Sequence, residues 1–126
     1  MKAFYIPAGL LALILAFSLW TGHYVRQRTN HWIALLEHTD TAAMEENWSE
    51  AEARLRTVYD DWDSSQRFFH TIMNHSDLDE AESLFAGARA VCSQKDDADF
   101  HLMLAQLKEQ MHLLAETQSV SIKNIL

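Results

Sequence analysis

The chain has little with which to staple, bend or grip nucleic acid. Cys92 is its one cysteine in 126 residues, so an intrachain disulfide framework and every multi-cysteine metal site are excluded. One proline and three glycines argue against collagen-like, low-complexity and β-sandwich classes, which need turn residues at short intervals. Ten Lys and Arg stand against eighteen Asp and Glu, a formal charge of -8, so there is no basic face with which to neutralise phosphates; nucleic acid is not an expected partner. The sequence also lacks GxGxxG, a P-loop, GxSxG and HExxH. No enzyme, cofactor or resident metal is therefore expected. The length allows a single domain.

What the chain does have is a long apolar start. No Asp, Glu, Lys or Arg occurs from Ala3 to Val25; Lys2 bounds the run on one side, Arg26 and Arg28 on the other. As a helix it spans roughly 30–35 Å, enough for a bilayer core of about 30 Å. Phe4 and Tyr5 near one end and Trp20 and Tyr24 near the other suit the two headgroup interfaces. Pro7 falls in the first turns, where a missing N–H costs little. The segment 18–22 makes a poor cleavage site, so residues 1–25 are read as an uncleaved single-pass anchor in the cell membrane rather than a signal peptide. The Gly–Phe junction and internal Glu of a type IV pilin start are missing, as is a lipobox cysteine. The basic residues on both flanks pull the orientation in opposite directions. The short N-terminal tail tips the expectation toward an extracytoplasmic C-terminal domain.

Beyond the anchor the period stays helical. Val25, Thr29, Trp32, Leu36, Thr39 and Ala43 recur in steps of three and four, predicting that the anchor continues as a stem helix over 26–46. Asn47 with Glu50 reads as a helix start. It opens a stripe of Trp48, Ala51, Leu55, Val58, Trp62, Ser65, Phe69 and Ile72, with a kink allowed at Ser64 and Ser65. Ser76 followed by Asp79 has the pattern of a capping box before Leu78, Ala81, Phe85, Ala88 and Cys92. Gly87 and the alanines make this a slim helix that a neighbour can approach closely. Asp96 or Asp97 caps a last helix carrying Phe100, Met103, Leu104, Leu107, Met111 and Leu114. The tail, 119–126, alternates apolar and polar residues and is expected to be extended. One-sided stripes and short connections predict an all-α fold: a transmembrane helix running into a stem, then an antiparallel up-down bundle whose other three helices occupy 47–118.

The chemistry-bearing residues have structural readings. The seven His include the pairs His31 and His38, His101 and His112, and His70 and His75, none with the spacing of a metal motif. Acids cluster at 60–63, 77–80 and 96–99; the last two are explained as helix N-termini, where the macrodipole favours negative charge. No segment supplies both the Gly and the Glu of an EF-hand loop. Cys92 reads as a small buried hydrophobe, and Trp48 and Trp62 as core. His75 is expected to join two helices at their turn, either by donating to a carboxylate such as Glu82 or by closing over the preceding helix end.

Trp48-x-x-Ala51, Trp62, His75 before an acidic helix start, Glu82, and Asn124 in a terminal Asn-Ile-Leu together resemble the bacterial family called domain of unknown function 4363. The resemblance extends over nearly the whole chain and implies a small, bitopic, helical membrane protein. It further implies that Trp48, Trp62, His75, Glu82 and Asn124 are the shared positions, and that the partner is a multi-pass membrane protein encoded nearby. The acidic, Lys-poor surface of this chain departs from the family. The expected role is a non-enzymatic, membrane-anchored interaction or scaffold protein, accessory to another membrane protein. The alternative is an extracytoplasmic ligand- or metal-sensing helical domain.

Overall fold

The computed structural model describes residues 2–125, with side chains for residues 3–117. Four helices follow one another: α1 (Lys2–Met44), α2 (Trp48–Ile72), α3 (His75–Gln94) and α4 (Asp97–Ile125). Neighbours in the bundle are α1 with α2, α2 with α3, α3 with α4, and α4 with α1; across the diagonal the backbones stay apart. This is the expected all-α bundle, closed on one side by the long N-terminal helix, whose apolar start is long enough to cross a membrane.

The helical stripes become the core. Val25, Thr29, Trp32, Leu36, Thr39 and Ala43 are all buried on α1, as are Ala51, Leu55, Val58, Trp62, Ser65 and Phe69 on α2. Leu78, Ala81, Phe85, Ala88 and Cys92 meet them from α3, and Phe100, Leu104, Leu107, Met111 and Leu114 from α4. Trp32, Trp62, Phe69 and Phe85 stack across the centre with ring centroids 5.4–6.0 Å apart, mixing edge-on and stacked contacts. The methyl end of Met103 lies against Gly87, so α3 and α4 approach closely where the side chain is smallest.

The chain ends its helices without glycine. Glu46 and Lys95 take the left-handed conformation, at φ 61° and 56°. After α1 the N–H of Asn47 donates to Ala42 O and that of Glu46 to Ala43 O, both at 3.0 Å, the paired bonds of a Schellman end. Asn47 then turns cap: its side chain accepts from the N–H of Glu50 at 3.3 Å. Glu50 does not reach back; its carboxylate takes Arg54 at 2.8 Å one turn on. Asp96 caps α4 through the N–H of Asp99 at 3.1 Å.

Three expectations change. The cap of α3 is Asn74, whose side chain accepts from both the N–H and the hydroxyl of Ser76 at 3.1 Å, so Ser76 is inside the helix and forms no capping box. An amide one residue outside the helix takes the free N–H first. The tail is not extended: α4 carries on to Ile125. With no Gly or Pro after Asp97, adding a residue to an existing helix is cheaper than leaving it. Finally, Thr21 and Val25, inside the segment read as anchor, are already buried in the bundle. Pro7 and the Ser64–Ser65 pair interrupt neither α1 nor α2.

Candidate functional site

Each interface of the bundle carries its own polar tie. Between α1 and α2, Arg28 Nη2 donates to Asp61 Oδ1 at 3.0 Å and to Ser65 Oγ at 2.9 Å, while Trp32 Nε1 donates to Asp61 Oδ2. Between α1 and α4, His101 Nδ1 lies 2.7 Å from Asp40 Oδ2. Between α3 and α4, the Gln110 amide donates to Asp77 O at 2.9 Å. A buried or half-buried polar pair tolerates no slip of its helices, because displacement leaves a donor or an acceptor unmet. The apolar stripes drive association, and these ties set which helix lies where and in what register.

The fourth tie is the most elaborate. Glu82, on α3, accepts three hydrogen bonds from three successive turns of α2: Tyr59 OH at 2.6 Å, Trp62 Nε1 at 3.1 Å and Gln66 Nε2 at 2.9 Å. The three donors are in step because 59, 62 and 66 follow the helical period. The Tyr59 phenol is pushed up to about 12, first by its hydrogen bond to the Glu82 carboxylate, then by burial and by the negative charges of Glu82 and Asp63; Arg89, 5.0 Å over the ring, pulls the other way.

From Glu82 the network runs outward. Gln66 gives its amide N–H to Glu82 and so turns its carbonyl to His70 Nε2, 2.9 Å away. His70 Nε2 must then carry the proton. In the neutral ring that leaves His70 Nδ1 as acceptor for His75 Nδ1, also at 2.9 Å. The two rings are tilted by 34°, with centroids 4.8 Å apart. His75 therefore closes over the end of α2, the second of its two expected roles, and does not touch Glu82. Its link to Glu82 passes through His70 and Gln66.

The five positions named from sequence separate in space. Trp62, Glu82 and, through two intermediaries, His75 belong to one network. Trp48 is half-buried at the far end of the bundle, edge-on to Phe100 at 5.5 Å. Asn124 is in the last turns of α4, and its side chain lies outside the described residues. Sequence reasoning passed over Arg28, Asp61, Gln66, Tyr59, Asp40 and Gln110. A signal existed: each is a polar residue on or beside an apolar stripe. At the far end, two shallow grooves of about 310 and 530 Å³ share Glu52 and Cys92. Burial pushes the Cys92 thiol up, assisted by Glu52, which is the state of an unreactive thiol. Among the described residues no three His, Cys, Asp or Glu side chains converge as a metal cluster would require.

These are the features of a bundle wired to hold one arrangement, with a bare apolar helix at one end. No curated protein and no solved structure matches the chain. A family model described as "Domain of unknown function (DUF4363)" matches residues 19–125, the bundle and only the last residues of the exposed apolar stretch before it. The chain belongs to that family.

Proposed function

We propose that the protein is a non-enzymatic, membrane-anchored interaction module, accessory to another membrane protein, with its bundle on the extracytoplasmic side. One observation carries this reading. α1 is at once the anchor and a wall of the bundle: an 18-residue window has a mean hydropathy of 2.0 with none of it buried, and the same helix then supplies Val25, Trp32 and Leu36 to the core. A partner held by the bundle is thereby held at a fixed height and orientation above the bilayer, with no flexible linker. The use of the half-buried carboxylates supports the reading. Asp61 and Glu82 spend their carboxylate oxygens on neighbouring helices, a structural employment rather than a catalytic one. Leu102 and Leu113 on α4 stay exposed and offer apolar surface to a partner.

The test is crosslinking in intact membranes followed by purification of the full chain, with Leu102→Asp and Leu113→Asp in parallel. A multi-pass membrane protein captured by the native chain and lost with either substitution supports the proposal. Capture of nothing above background in the native membrane overturns it. Zinc bound at one equivalent and lost in His70→Ala would favour the sensing domain instead, since the paired imidazoles suit it.

A further inference from the structure

The contacts between α1 and α2 fix how far the bundle descends along the anchor. Arg28 meets Asp61 and Ser65, Trp32 meets Asp61, and Tyr24 and Trp20 meet the ring of Phe68 at 4.9 and 6.1 Å. Each turn forward on α2 is one turn back on α1. Continued to the end of α2, this register brings Ile72 and Met73 level with Ser18 to Trp20. Counted likewise from Asp40 and His101, the backbone of α4 reaches that level near residue 122.

Length then decides the matter. The apolar residues below that level, Ala3 to Leu19, make about 25 Å of helix, whereas a bilayer core is about 30 Å thick. A bundle standing clear of the membrane would leave the anchor roughly 5 Å short. The mismatch disappears if the bundle end is seated in the interface.

That end is built for the place. Phe17, Trp20, Tyr24 and Phe68 form a continuous aromatic group across the anchor and α2, the composition of an interfacial belt. Ile72 and Met73 are half-buried beside it, and Thr71 is exposed. The charge is segregated too. On α1 the first acid is Glu37, and 64–76 contains none, so Arg26, Arg28 and Arg67 are concentrated here in a protein of net charge -8, with Glu116 of α4 as the one acid that the Asp40–His101 register places at their level among the described residues. Arg26 and Arg67 have no ion-pair partner among the described residues, while Arg28 is taken by Asp61. Asp63, a turn up α2, and Asp77, in the first turn of α3, are the nearest acids along those helices. The acid-rich far end, with Glu45, Glu46, Asp96, Asp97 and Asp99, is repelled by an anionic surface and keeps the bundle upright.

We propose that the turn between α2 and α3 is a lipid-binding surface, seated in the headgroup layer of the bilayer that α1 spans, with Arg26 and Arg67 against the phosphates of anionic lipids. This rests on the reading of α1 as a membrane anchor, and the test separates the two. In the full chain carrying Cys92→Ala, or Cys92→Val if that folds better by circular dichroism, one cysteine is placed by Thr71→Cys at the turn or by Ser49→Cys at the far end. Each is labelled with an environment-sensitive fluorophore and reconstituted into phosphatidylcholine vesicles with and without phosphatidylglycerol, containing a lipid that bears a quencher just below the headgroup. The label at 71 is expected to be quenched at least threefold more than that at 49, more strongly with phosphatidylglycerol, and less after Arg67→Glu. Carbonate extraction of the same vesicles reports the anchor. Protein retained but quenched equally weakly at 71 and 49 overturns the lipid surface and leaves the anchor standing; so does quenching at 71 that ignores both phosphatidylglycerol and Arg67→Glu. Protein released by carbonate overturns the anchor and the surface with it.

Discussion

Glu82→Gln is the sharpest test of how the bundle is held. The substitution preserves shape but removes the charge and turns one acceptor oxygen into an NH₂ donor. Three donors now aim at a group with one acceptor atom: Tyr59 OH, Trp62 Nε1 and Gln66 Nε2. Hydrogen bonds to a charged group contribute about 1.5–3 kcal/mol each against about 1 for a neutral one, and a donor left unmet in a buried place costs about 1–3 kcal/mol. Glu82 is half-exposed, so water replaces part of what is lost. The net expectation is a destabilisation of about 2–3 kcal/mol. Urea unfolding of the detergent-solubilised chain measures it, with the indole of Trp62 reporting from the contact itself. The same variant must bring the Tyr59 phenol down from about 12 toward its ordinary 10.0, because the Glu82 hydrogen bond is the largest cause of the shift; difference absorbance of phenolate, with Tyr59→Phe to identify the signal, reads this directly. A loss below about 0.5 kcal/mol together with an unchanged Tyr59 titration would refute the claim that this carboxylate ties α2 to α3.

Trp62→Ala should cost about 3–5 kcal/mol in the same urea experiment, since Trp62 is wholly buried and its removal opens a cavity between Trp32 and Phe85. Gly87→Ala should change stability by less than about 1 kcal/mol, because the gain in helix propensity is set against displacement of the flexible Met103 terminus, whereas Gly87→Leu should destabilise clearly. Alkaline unfolding should respond to Tyr59. Its folded value is raised, so the unfolded chain releases the proton first, and the contribution present below pH 10 is lost as the pH rises through about 12; Tyr59→Phe should flatten that part of the stability curve. His75→Ala should cost less than about 1 kcal/mol by thermal melting, because the bond to His70 is exposed to water.

The one-dimensional pattern was enough for the fold. Three-and-four spacing marks the buried face of every helix, since a residue one turn away is the next to meet the same neighbour. Thr29, Thr39 and Ser65 fell on those faces and are buried there despite their hydroxyls. The caps at Asn47 and Asp96 were equally legible, because a cap is a contact within three residues. At Asn74 the same local chemistry had two candidates two residues apart, and the pattern chose Ser76.

The ties between helices were a different kind of information. Arg28 and Asp61 are 33 residues apart, Asp40 and His101 are 61, and nothing in either local pattern names the other as its partner. Trp62 and Glu82 are named by the family resemblance, but not as donor and acceptor of one bond. Nor does hydropathy show where the exposed apolar stretch gives way to the bundle. Thr21 and Val25 continue the apolar run without a break, and only the tertiary packing shows them buried in the bundle while the residues before them stay exposed. Apolar surface is equally satisfied by lipid and by protein, so composition fixes that it will be covered; the tertiary arrangement decides by what.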